Sequence, residues 1–307
     1  MNWKNLLKWG FFAALLLLGA RYLWVHSEDF SKMVEIRPVF LPFLLLTPVF
    51  FIGLLGILNK TLVEAFGIRL TLLEWFGLQC ITNFGNYLLP LRGGAGTRAA
   101  YLKMKHNFPI SSFLSTMGAT YLINTFLAGA IASVCIVWIG DRVEHWGMTL
   151  TLLLGASFGL LLLMIFPFPF RFPDRGFFQK ANLVFEGWAR IQSDRALILK
   201  VATILIANYL LIAIHLDLCY SALSIPIPFV SALAIATVLG FTRLISITPA
   251  NLGIQEFFTA LLSELVGVGF DQGLAVSILA RVTMAATTFI LGPLFGWLVF
   301  RNTDLES

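Results

Sequence analysis

The chain has 307 residues, of which 58% are hydrophobic and only 12% charged, and its mean hydropathy is +0.86. A soluble domain carries about 25% charged residues, so this composition excludes a soluble globular protein and implies a polytopic membrane protein. The net charge of +5 does not point to nucleic acid, because Lys and Arg sit between apolar runs, where they set topology.

The first apolar run follows Lys4 and Lys8 and continues past Leu18-Gly19-Ala20 through Val25. It reads as an uncleaved first span over 9–25, with Trp9 and Trp24 as interface anchors and Arg21 snorkelling outward. About 20 apolar residues cross the hydrocarbon layer. On that measure further full spans are expected over 38–58, 113–139, 147–168, 197–220 and 273–300, six in all.

Two other apolar runs are interrupted near their middle. The run 70–101 is broken around Pro90 to Gly96, and the run 228–268 around Pro249 to Gly253. Each reads as a re-entrant helical hairpin. Backbone freed by a breaker at membrane depth must be satisfied by protein or by water lining a cavity. The four-residue step from Pro90 to Gly94 recurs from Pro249 to Gly253, a weak sign of an inverted repeat. The expected fold class is therefore all-α, a single membrane domain over 1–307.

The segment 169–196 carries Phe177, Ala181, Val184, Trp188 and Ile191 at steps of four and three, with Lys180, Asn182, Glu186, Arg190 and Asp194 facing away. This is an amphipathic helix, lying on the inner leaflet or packed on its own bundle. With the N-terminus inside, segments 1–8, 59–112, 169–196 and 301–307 gather most of the Lys and Arg. The opposite loops then hold only Lys32, Arg37 and Arg142. The asymmetry places both termini in the cytoplasm, in an inner (plasma) membrane, with the two hairpins opening to opposite sides.

The breaks carry the candidate site. Arg92 and Arg98 flank a glycine run that includes Gly93 and Gly94. Such glycines let backbone N–H groups approach an anion, and Arg forks match phosphate bidentately. The other reading is a positive loop at the surface. Asn83 and Asn86 lie three residues apart on one helix face before the break, to bind headgroup oxygens or tie down freed backbone. Asn251 belongs to the second break. Arg243, Glu256 and Arg281 are charges within long apolar runs, which are usually paired or face water. Glu256 is the natural partner of Arg281 or Arg243, either as a structural ion pair or on a hydrated path.

Cys80, Cys135 and Cys219 fall inside apolar runs, the four His are scattered, and no zinc, nucleophile or nucleotide motif is present. No cofactor, metal or catalytic residue is assigned, and a transporter is expected rather than an enzyme.

Leu89-Pro90-Leu91-Arg92-Gly93-Gly94 followed by Arg98, and Thr248-Pro249-Ala250-Asn251-Leu252-Gly253-Ile254-Gln255-Glu256, resemble the membrane domain of the lysylphosphatidylglycerol synthase, or flippase-like, family. Ala95 stands where that family often has an acid, so no proton- or cation-linked role is carried over to it. The resemblance implies two re-entrant elements and the movement of a polar lipid, anionic or polyprenyl-type, between leaflets. The soluble synthase domain of the full-length members is not expected here, and tRNA binding is not expected with it. The alternative is an integral-membrane lipid transferase or an assembly partner in envelope lipid synthesis. A homodimer and a separate lipid-modifying enzyme are the protein partners left open.

Overall fold

A computed structural model describes residues 36–89, 93–139, 146–165, 177–242 and 248–304. The expected span 9–25 and the residues Arg92 and Arg243 lie outside the described residues. Ten α-helices form the described part: α1 (Leu41–Glu64, entered by a 3-10 turn over Pro38–Phe40), α2 (Leu72–Leu88), α3 (Gly94–His106), α4 (Ile110–Ile139) and α5 (Trp146–Ile165). They continue with α6 (Phe177–Ser193), α7 (Arg195–Ala222), α8 (Phe229–Thr242), α9 (Ile254–Leu265) and α10 (Phe270–Asp304). Among the described residues four stretches are long and apolar enough to cross a membrane: Pro38–Glu64, Ile110–Ile139, Arg195–Ala222 and Phe270–Arg301. The protein is an all-α, multi-pass membrane protein. Many large apolar side chains, such as Phe43, Phe50, Leu199 and Ile290, remain exposed on these helices. That is the surface expected where lipid, not water, is the solvent.

The long helix α10 is a ruler for the rest. Its 35 residues rise about 50 Å. Helix α2 runs antiparallel along its second half: the Phe76 ring meets Phe295 at 5.0 Å and Phe84 meets Phe289 at 5.3 Å. Gly77 and Gly292 permit this approach, since a Cβ at either would overlap Val299 or Phe84.

Helix α2 is started by a capping box. The Thr71 hydroxyl accepts from the Glu74 N–H at 3.3 Å, and Glu74 Oε2 accepts from the Thr71 N–H at 2.8 Å. The other Glu74 oxygen holds the far end of α3: it accepts from Tyr101 at 3.2 Å and lies 2.8 Å from His106 Nε2 and 3.7 Å from Lys105 Nζ. Helices α2 and α3 are thus two limbs of a hairpin whose open end lies beside the C-terminus of α10, where Tyr101 meets Phe300.

The second pair opens at the other end. Helix α9 runs antiparallel to the first half of α10, with Gly273 seated against Ala260 and Ser263. Its C-terminus, with the buried Val268 just beyond, joins a core made of Leu44 from the start of α1, Leu216 and Tyr220 from the end of α7, and Ile235 and Leu239 of α8. Tyr220 shares a 2.5 Å hydrogen bond with Ser263, and the Arg37 N–H donates to the Ala222 carbonyl at 2.9 Å. The open end of α8–α9 therefore lies beside the N-terminus of α10, opposite that of α2–α3.

Helix α6 resolves one of the two readings of its apolar stripe. Ile191 is fully buried, Trp188 joins a core with α4 and α7, and Ser115 of α4 donates to the Val184 carbonyl at 2.8 Å. Gln192 donates to the Met164 carbonyl at 2.7 Å, and the Arg190 guanidinium lies over Phe66. The stripe is docked on the helical body.

Candidate functional site

Both interrupted hairpins contribute to one cavity of about 340 Å³, lined by α1, α2, α3, α4, α7, α8, α10, the break before α9 and the start of α9. Gly94 is occupied with packing: a Cβ there would overlap the Thr82 carbonyl, and Gly85 lies directly against it. The glycine serves the close approach of the hairpin limbs. Gly93 closes the turn through its carbonyl, which accepts from the Gly96 N–H at 3.0 Å.

One turn into α3, Arg98 reaches the cavity. Its Nη1 donates to Gln79 Oε1 at 3.2 Å and its guanidinium lies 5.3 Å from the Phe113 ring centre. The same Gln79 oxygen accepts from Asn59 at 2.8 Å, and Gln79 Nε2 donates to Asn83 Oδ1 at 2.9 Å. Asn83 is thus an arm of an amide chain that ends on Arg98. Among the described residues no carboxylate reaches Arg98 within ion-pair distance.

The second break is held by Arg281. Glu256 Oε2 accepts from the Gly253 N–H at 2.8 Å, capping α9, while Glu256 Oε1 accepts from Arg281 Nε. Arg281 Nη1 also donates to the Ala250 carbonyl at 3.1 Å. Of the two cations considered as partners for Glu256, the structure pairs it with Arg281. Ala250, Asn251 and Gly253 all have positive φ, so the chain reverses here in a conformation that needs outside support. Asn251 supplies some of it by donating to the Thr242 carbonyl at 3.0 Å, which satisfies backbone released where α8 stops.

Three polar atoms on the cavity wall are buried and have no hydrogen-bond partner among the described residues: Asn86 Oδ1, Asn251 Oδ1 and Thr288 Oγ1. Such groups cost free energy unless water or a ligand satisfies them.

His215 also lines the cavity. Thr47 Oγ1 gives its proton to the Phe43 carbonyl at 3.0 Å, so it accepts from His215 Nδ1 at 2.6 Å. The ring nitrogen Nε2 faces Thr283 Oγ1 at 3.3 Å. Sequence reasoning passed over His215, Asn59 and Gln79. For Gln79 a signal existed: Gln79, Asn83 and Asn86 form a polar stripe at steps of four and three on a helix otherwise rich in apolar residues. Asn59 reads with Lys60 and Thr61 as the polar end of an apolar helix, His215 is a single His in an apolar run, and neither forms a polar stripe.

The structure thus brings Asn83, Asn86, Arg98, Asn251 and Arg281 to one cavity, with Glu256 behind Arg281 and Gly93 and Gly94 shaping the first turn. No group of three or more His, Cys, Asp or Glu side chains gathers among the described residues. A family model described as the lysylphosphatidylglycerol synthase TM region matches residues 6–292. No curated protein and no solved structure matches the chain.

Proposed function

The chain belongs to the lysylphosphatidylglycerol synthase transmembrane-region family, and from that premise we propose that it translocates a polar lipid with an anionic headgroup between leaflets. Lipid biosynthesis or translocation is the setting the family supplies. The observation that carries the finer reading is the meeting of two interrupted hairpins, open at opposite ends of the molecule, on one cavity to which both contribute polar side chains. Broken helices at matching depth are how membrane transporters place binding groups near the midplane.

In this reading both hairpins are re-entrant, and the headgroup crosses through the cavity while the acyl chains stay in the bilayer. The phosphate is held by Arg98, the cation without a carboxylate. Burying an unpaired cation near mid-bilayer costs at least roughly 2.5–3.5 kcal/mol, and an anionic substrate offsets that cost whenever it occupies the site. Arg281, already neutralised, instead fixes the second break. Hydrated amides and hydroxyls between them replace headgroup solvation along the path. Both termini lie in the cytoplasm, as the Lys and Arg distribution indicates.

Reconstitution of the full chain in liposomes tests this. A headgroup-labelled anionic phospholipid should exchange between leaflets faster than in protein-free vesicles, and should be recovered chemically unchanged. A lipid that changes chemistry without changing leaflet would instead establish a transferase.

A further inference from the structure

The cavity is asymmetric in what it lacks. Near Arg98 it lacks an anion. Along the wall built by α2, α10 and the second break two acceptors go without a donor, because Asn86 Oδ1 and Asn251 Oδ1 can only accept and neither has a partner among the described residues. Thr288, on α10 and almost fully buried, adds an unpaired hydroxyl. These residues are neighbours in the fold: α2 packs along α10 and also touches the 3-10 turn Pro249–Asn251. From Gln79, which Arg98 contacts, to Asn86 is two turns of α2, about 10 Å along the axis. A bare phosphate at Arg98 does not span that length.

Hydroxyl and ammonium groups both donate. The lining decides between them, for it contains Arg98 and Arg281 but no Asp or Glu among the described residues. With the lipid phosphate already taken by Arg98, an ammonium would find no carboxylate in the lining to receive it, and an uncompensated charge at this depth is costly. Hydroxyls supply donors with no charge. They also accept, which suits Thr288.

Resting on the reading of the cavity as an anionic-lipid path, we infer that its substrate is a phosphodiester lipid whose headgroup is an uncharged polyol or sugar. An aminoacylated, cationic headgroup does not fit. The phosphate sits at Arg98 and the hydroxyls satisfy Asn86, Asn251 and Thr288. Water occupies those positions otherwise, and a headgroup displacing it must restore the hydrogen bonds.

The test uses the purified full chain in neutral detergent, with affinity read for phosphatidylinositol, phosphatidic acid, phosphatidylethanolamine and lysylphosphatidylglycerol. Phosphatidylinositol should bind about ten-fold or more tightly than the two ammonium-bearing lipids, with phosphatidic acid between. Asn86→Leu combined with Thr288→Val should lower phosphatidylinositol to the level of phosphatidic acid and leave phosphatidic acid unchanged. The wild-type series decides even if that variant fails to fold. Equal or tighter binding of an ammonium-bearing lipid overturns the headgroup assignment, and so does a folded double variant that keeps the preference. In either case retained phosphatidic acid binding leaves the anionic-lipid path standing. Failure of the wild type to bind phosphatidic acid or phosphatidylinositol removes the path itself. Soluble inositol 1-phosphate should compete only weakly; displacement at equal affinity would make a free polyol phosphate the ligand and overturn the lipid as its source.

Discussion

Arg98 and Arg281 are guanidiniums on one cavity, yet among the described residues only Arg281 has a carboxylate within ion-pair distance. The difference separates their roles and predicts opposite effects on stability. Arg98→Gln removes a buried, uncompensated charge while a neutral amide can still approach Gln79. Thermal stability should hold or rise, whereas affinity for anionic lipid should fall about ten-fold or more, the equivalent of one charge-assisted hydrogen bond. Melting curves and lipid titration on the same sample check this, and a drop in melting temperature with unchanged binding would assign Arg98 to the scaffold. Glu256→Gln should behave in the other sense. It strands Arg281 and weakens the cap on α9, and breaking a buried pair in this way costs about 3–5 kcal/mol. The expected result is a large fall in melting temperature. Adding Arg281→Met to Glu256→Gln should recover much of it, because no charge is then left alone. A Glu256→Gln protein that melts normally but no longer moves lipid would instead make the carboxylate a working group on the path.

At the scale of elements, the first hairpin depends on how closely its limbs approach. Gly94→Ala places a methyl against the Thr82 carbonyl, which is backbone and cannot rotate away. It should destabilise by about 1–3 kcal/mol or more. Gly96, two residues along the same helix, has open space around it. Gly96→Ala should be neutral or stabilising by about 0.5–1 kcal/mol, since Ala is the better helix former. Chemical or thermal unfolding of the two variants side by side tests whether packing, rather than glycine flexibility in general, is what the first break needs.

The hairpins were legible in the sequence because a Pro and Gly cluster inside an apolar run has few physical outcomes in a membrane. The long spans Ile110–Ile139 and Arg195–Ala222 were legible for the same reason, through length and hydropathy. The choice between Arg281 and Arg243 as partner of Glu256 was not, because both are remote in sequence and only the antiparallel course of α9 along α10 brings Arg281 to the carboxylate. Asn59 and His215 were invisible as site residues, since Asn59 reads with Lys60 and Thr61 as the polar end of a span, neither residue forms a polar stripe, and the cavity is assembled from several helices. For α6 the stripe was plain, but an apolar stripe does not say whether lipid or protein covers it; Ser115 and Gln192, each bonded to a carbonyl across a helix contact, supply that answer.

Taken as a whole molecule, α10 spans the distance between two hairpins whose open ends lie beside its opposite ends. The hairpin open ends are closed by different chemistry. Glu74 gathers Tyr101, Lys105 and His106 at one, while an apolar core with the Tyr220–Ser263 hydrogen bond closes the other. The first of these is a charged cluster at the side rich in Lys and Arg, consistent with a cytoplasmic face. In the proposed translocation, an anionic headgroup arriving at the Lys- and Arg-rich side meets positive potential before it meets Arg98, and that attraction should weaken with rising salt. The central claim is that both breaks open onto one path from opposite sides.

Side-specific thiol labelling tests that claim most directly. In a background with Cys80, Cys135 and Cys219 replaced by Ser, single cysteines are placed at Asn83 on the first hairpin and Gln255 on the second, both on the cavity wall. In sealed, oriented vesicles an impermeant reagent should modify the cysteine at 83 from the cytoplasmic side and the one at 255 from the opposite side. Anionic lipid with a polyol headgroup should slow both reactions. Modification of both positions from the same side alone, with no protection by lipid, would contradict the account.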